Sequence, residues 1–109
     1  MHWGKDLYVG DSIKNRKKAV IKSVEAEKDG SLILICLSLN PEEQLDLFPA
    51  RVVFSYEWLK EELKIVGIAA DREEAFETVR RMSEDAVTKT GDGNLRGLFT
   101  NGENLEETD

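Results

Sequence analysis

The chain has 109 residues, with 15 Lys+Arg against 22 Asp+Glu and a net charge of −7. That length fits one domain, and the acidic balance argues against a general nucleic-acid binder, which needs surplus bases to neutralise phosphate. A single cysteine, Cys36, excludes an internal disulfide and a closed all-thiolate metal site.

Hydrophobic residues make up 40% of the chain and charged residues 34%, which leaves enough apolar material for a packed core. The start, Met1-His2-Trp3-Gly4, carries no secretory pattern. The longest apolar run, Leu32 to Leu37, is too short to span a bilayer. With one thiol and no export signal, the expected compartment is the cytoplasm, with no membrane contact.

Leu7-Tyr8-Val9 is a short β-prone run ending at Gly10, and Asp11 or Ser12 can cap a following helix. Ile13, Val20, Ile21 and Val24 fall on one helical face, which predicts an amphipathic helix from about Ser12 to Glu27. The competing reading places a strand over Ala19 to Ala26 and a turn at Lys28-Asp29-Gly30-Ser31, with Gly30 at positive φ. It would give an α+β chain with a hairpin at 19–39; the spacing favours the helix. Leu32 to Leu39 is apolar on both faces, as in a covered, parallel strand. Asn40-Pro41 suits a helix start, so Pro41 to Phe48 is expected to be a short helix.

Ala50 to Lys60 has no clean period and reads as a second short helix or an irregular crossover. Phe54, Tyr56 and Trp58 in it either cover a sheet edge or form a contact surface, which leaves homo-oligomerisation open. Leu63 to Ala69 is a strong strand candidate. Asp71 and Glu74 form a capping-box variant at the head of the clearest helix. Its apolar stripe is Ala75, Phe76, Val79, Met82, Ala86 and Val87, and Gly91 ends it. Leu95 to Phe99 is a short edge strand or a segment folded back on the core, and residues 100–109 form an acidic, solvated tail. The β-α-β-α-β-α order predicts a small α/β sandwich over 1–99, with a mostly parallel sheet of three or four strands.

Leu7-Tyr8-Val9-Gly10, Leu39-Asn40-Pro41, Leu45-Asp46-Leu47, Val66-Gly67-Ile68-Ala69 and Thr90-Gly91-Asp92 resemble a family of small uncharacterised bacterial proteins. The resemblance implies the helix over 12–27 and the strand over 63–69, and it carries no activity. Gln44-Leu45-Asp46-Leu47-Phe48 resembles the pentapeptide with which bacterial replication and repair proteins dock on the sliding clamp. That resemblance implies Gln44, Leu45, Leu47 and Phe48 as contact residues in an extended segment. The plainer reading packs Leu45 and Phe48 onto the core.

The catalytic inventory is poor. The only histidine, His2, lies beside the terminus, and Cys36 sits in the most apolar run, where a thiol is inert. No catalytic residue, metal or cofactor is therefore assigned. Lys14, Arg16, Lys17, Lys18 and Lys22 place five positive charges in nine residues. They suit phosphate, an acidic protein, the acidic part of this same chain, or solvent alone. The glycines from Gly91 to Gly97 follow a helix and lack a phosphate-loop pattern, so they read as a helix stop and turn. Asp11 and Asp71 each follow a strand, and with Asn40 they are candidates for a polar site at strand C-terminal ends.

The leading expectation is a non-enzymatic interaction or regulatory module whose partner is another protein. A small α/β enzyme or ligand-binding domain, a clamp-binding accessory protein and nucleic-acid contact through the basic helix are the alternatives. Residues 1–99 hold fifteen bases and eighteen acids, a net of only −3, while the tail adds four acids and no base. The tail or the acidic C-terminal half can thus screen the basic helix.

Overall fold

A computed structural model describes residues 1–99. The acidic stretch 100–109, read above as a tail, lies outside the described residues. The elements are β1 (His2–Val9), a 3-10 turn (Lys14–Arg16), α1 (Lys17–Glu25), β2 (Ile33–Leu37), β3 (Leu45–Pro49), α2 (Ala50–Ser55), α3 (Glu57–Glu62), β4 (Lys64–Ala69) and α4 (Arg72–Thr90). The four strands form one sheet in the order β1-β4-β2-β3.

The α/β class stands, but the sheet is mixed. Only β1 and β4 run parallel; β2 is antiparallel to both β4 and β3. The apolar character of β2 on both faces comes from helices covering both sides, which does not depend on strand direction. Val20 and Val24 of α1, Ala50 and Val53 of α2 and Leu59 of α3 pack with Leu34, Cys36 and Ile65 on one face. Ala75, Met82 and Ala86 of α4 pack with Ile35, Leu37 and Val66 on the other, joined by Leu95 and Phe99.

The segment 41–48 is not a helix. Asn40 Oδ1 accepts from the Glu42 N–H, and the Glu43 N–H donates to the Asn40 carbonyl, which makes a turn with Pro41 at its second position. Asn-Pro suits a helix start and a turn equally well. The open edge of β2 decides between them, because β3 pairs along it from Leu45 to Pro49. Arg96 fixes the turn by donating to the Ser38 and Glu43 carbonyls at 2.9 and 2.8 Å.

The hairpin alternative at 19–39 is also corrected, since residues 17–25 are helical and the hairpin is β2–β3. The positive φ near that turn falls on Glu27, at 56°, and not on Gly30. Neither Asp11 nor Ser12 caps α1; the residue before the 3-10 turn is Ile13, with no side-chain cap. The stretch 50–62 is two short helices, and 95–99 is a helical turn folded onto the core. On α4, Phe76 and Val87 are exposed, at 58% and 57%, while Thr78 is buried in the stripe.

The Met82 side chain of α4 lies directly over Gly67 of β4. Ile35 opposes Gly67 and Cys36 opposes Ile65, so Val66 is an extra residue, a β-bulge in β4. A Cβ on Gly67 would lie 2.8 Å from Met82 Cε and 3.1 Å from Ile35 Cδ1. Gly67→Ala is expected to destabilise the fold by about 1–3 kcal/mol through overpacking. Urea unfolding checks this, and an unchanged midpoint would refute it.

Candidate functional site

β1 and β4 are parallel neighbours, so the loops after them leave the same end of the sheet. Asp11 follows β1 and Asp71 follows β4, and the two line one cleft of about 430 Å³ with Glu73, Glu74, Glu77 and Arg81. Asn40 does not join them. β2 runs against β4, with Ile33 opposite Ala69, so Asn40 emerges at the far end of the sheet. Asp71 works as the N-cap of α4, its Oδ1 accepting from the Glu74 N–H at 2.8 Å.

Glu74 organises this end of the molecule. In an ordinary capping box it would return to the N–H of Asp71. Here it accepts from the Ala70 N–H at 2.8 Å and from the Ser12 N–H and Oγ at 3.0 Å each. It thereby ties the β1 exit loop to the β4 exit loop. Partial burial opposes its ionisation, but the Ala70 and Ser12 hydrogen bonds and the nearby Arg81 charge outweigh this and hold its carboxyl below the usual range. Gly10 makes the geometry possible, because a Cβ there would sit 2.1 Å from Glu74 Oε1.

A second groove, of about 450 Å³, crosses the exposed edge of the sheet along β1. Its walls carry Lys14 and Lys17 from one face, Arg81 and Lys89 from α4 on the other, and, among the described residues, a single acid, Asp6. Arg81 and Lys89 reach it because residues four apart stack along one side of a helix. Arg81 Nη2 donates to the Val9 carbonyl at 2.8 Å, which ties α4 to the edge strand. Asp85, between them on α4, takes the Tyr8 hydroxyl. Burial first, then this bond to Asp85, pushes the Tyr8 phenol up, so it stays protonated. Lys14, Lys17 and Lys89 form no ion pair with the described residues.

The five-base cluster is thus divided. Lys14 and Lys17 face the groove, whereas Arg16, Lys18 and Lys22 are exposed outside its lining. Arg81 and Lys89 escaped the sequence reading because they lie over sixty residues away, although their spacing on the best-defined helix was visible.

Leu45 to Phe48 is extended within β3, Gln44 lies in the bend before it, and the side chains are engaged. Gln44 Oε1 accepts from the Leu95 N–H. Leu45 and Leu47 pack on the α4 side, and Phe48 packs on the opposite face. His2 Nε2 meets the Glu61 carbonyl at 2.8 Å. Cys36 is buried, and burial pushes its thiol far up. Phe54 is half-buried against the core, whereas Tyr56 and Trp58 are exposed. No cluster of three or more His, Cys, Asp or Glu side chains among the described residues is arranged to hold a metal ion. No described helix is long and apolar enough to cross a membrane.

Compared with known protein families, with curated proteins and with solved structures, the chain matches none.

Proposed function

We propose that the protein is a non-enzymatic interaction module of the cytoplasm that binds an acidic segment of another protein along β1. The observation that carries this reading is the convergence of Lys14, Lys17, Arg81 and Lys89 on one groove whose only acid among the described lining residues is Asp6. These bases come from segments far apart in sequence, so their meeting is a property of the fold and not of local composition. In a chain of net charge −7 such a patch steers acidic partners by local field and rejects bulk polyanions by overall repulsion. The strand-end cleft is acidic apart from Arg81, its Asp71 is used as a cap, and Asn40 is absent from it.

The test is calorimetric titration with an octaglutamate peptide in 20 mM salt. Lys14→Glu combined with Lys17→Glu is expected to weaken binding at least tenfold. Arg16→Glu with Lys18→Glu, the same charge change outside the groove, is expected to weaken it less, because distant exposed charges are screened. Equal losses in the two variants would refute the groove as the binding surface. Tighter binding of a single-stranded oligonucleotide than of octaglutamate would overturn the choice of a protein partner.

A further inference from the structure

We infer that the acidic partner binds by strand addition: an extended acidic segment hydrogen-bonds through its main chain to the outer edge of β1 and adds a fifth strand to the sheet. The inference rests on the reading of the groove given above. Backbone direction, side-chain alternation and charge carry it.

β1 ends the four-stranded sheet, with β4 on one side and no described strand on the other. The groove runs over its last residues, with Asp6, Leu7, Tyr8 and Val9 in the lining. The Gly10 N–H turns inward and donates to the Ile68 carbonyl at 2.8 Å. Main-chain groups of successive residues in a strand turn to opposite sides, so the N–H and C=O of Val9 turn outward. The Val9 carbonyl agrees with this, since it accepts from Arg81 Nη2. Leu7 turns the same way, because Leu7 and Val9 share the α1 face of the sheet while Tyr8 takes the α4 face. The edge therefore presents the Leu7 N–H and C=O and the Val9 N–H to an added strand. Such a row is a template for main-chain pairing.

Charge decides the occupant. Side chains of an added strand alternate between the two faces of the sheet. One wall of the groove holds Lys14 and Lys17 and the other Arg81 and Lys89, so acids at successive positions meet bases on both sides. The Arg81 charge also acts on Glu74 and Glu77. The attraction therefore comes mainly from Lys14, Lys17 and Lys89, all exposed, against Asp6 in the lining and Asp85 beside Tyr8. A second copy pairing through its own β1 would instead bring the same lysines together, and lysines beside an edge strand discourage self-pairing. The groove thus selects an extended acidic strand over another copy of the chain.

The test compares octaglutamate with an octaglutamate N-methylated at every internal amide, titrated calorimetrically into the full chain in 20 mM salt. The two peptides carry the same charge, and only the first can donate main-chain hydrogen bonds along its length. The N-methylated peptide is expected to bind at least tenfold more weakly. Amide hydrogen exchange at Leu7 and Val9 is expected to slow when octaglutamate is bound. Equal affinities with unchanged exchange would overturn strand addition while leaving the groove reading intact. A weaker N-methylated peptide with unchanged exchange at Leu7 and Val9 would also overturn it, since that loss reports peptide conformation alone. Slowing at Leu7 and Val9 that grows with protein concentration in the absence of peptide would overturn it in favour of pairing between copies. Failure of octaglutamate itself to bind would remove the groove reading.

Discussion

Met82→Ala is expected to lower the unfolding free energy by about 2–5 kcal/mol, a large share of a small domain's stability. Met82 is fully buried on the inner side of α4, among Ile35, Val66 and Ala86. Its methyl group occupies the space over Gly67, where β4 offers no side chain of its own. Truncation therefore leaves a gap that neither β4 nor the helix can close without shifting the backbone. The cost should fall when Gly67→Ala is added, because the new Cβ enters the vacated space. The two changes are then non-additive, as expected for residues in contact. Urea denaturation of the two single variants and the double variant checks this. Simple additivity would contradict the packing described at the bulge.

Glu74→Ala is expected to cost about 1–3 kcal/mol, because the N–H groups of Ala70 and Ser12 lose a charged acceptor. Glu74→Gln should fall between wild type and Glu74→Ala, since one amide edge then presents a donor to a donor. The pH dependence follows from the direction of the shift. The folded carboxyl sits below the ordinary glutamate value of 4.5. Its contribution is therefore fully present above that value and is lost as pH falls through the lower folded pKa. Melting temperatures of wild type and Glu74→Gln should converge on acidification and diverge towards neutrality. A constant gap across this range would show that Glu74 is not ionised in the clamp. Because the clamp holds Ser12 two residues before Lys14, Glu74→Ala should also weaken octaglutamate binding.

The legible parts of the fold were those in which local pattern and tertiary context agree. Helix α4 was readable because Asp71, the inner positions Ala75, Met82 and Ala86, and Gly91 all point to one element, and each keeps that role. The strand Lys64–Ala69 and the burial of Cys36 followed from apolar runs too short for helices. The direction of β2 was not legible, because burial on both faces says nothing about the sense of its neighbours. Asn40-Pro41 misled for a related reason, since its local chemistry serves a turn and a helix start alike. Only the hairpin partner across β2 decides, and that partner is a tertiary fact.

The candidate site was half legible. Lys14 and Lys17 were visible as charge in a cluster whose remaining members face solvent elsewhere. Arg81 and Lys89 belong to the site only because α4 lies beside β1, a placement that no local periodicity encodes. Asp11 and Asp71 converge because their strands are parallel neighbours, and Asn40 is excluded because its strand is antiparallel. Strand-end residues thus gather only where neighbouring strands run the same way.

The central claim is that the edge groove along β1 is the recognition surface. Its most direct test is an amide NMR titration of the full chain with octaglutamate in low salt. The account predicts saturable shifts confined to Asp6 to Val9, Lys14, Lys17 and the Arg81-to-Lys89 side of α4, abolished by Lys14→Glu with Lys17→Glu. Shifts centred instead on the β2–β3 turn, on the Tyr56–Trp58 corner or on the strand-end cleft would contradict it.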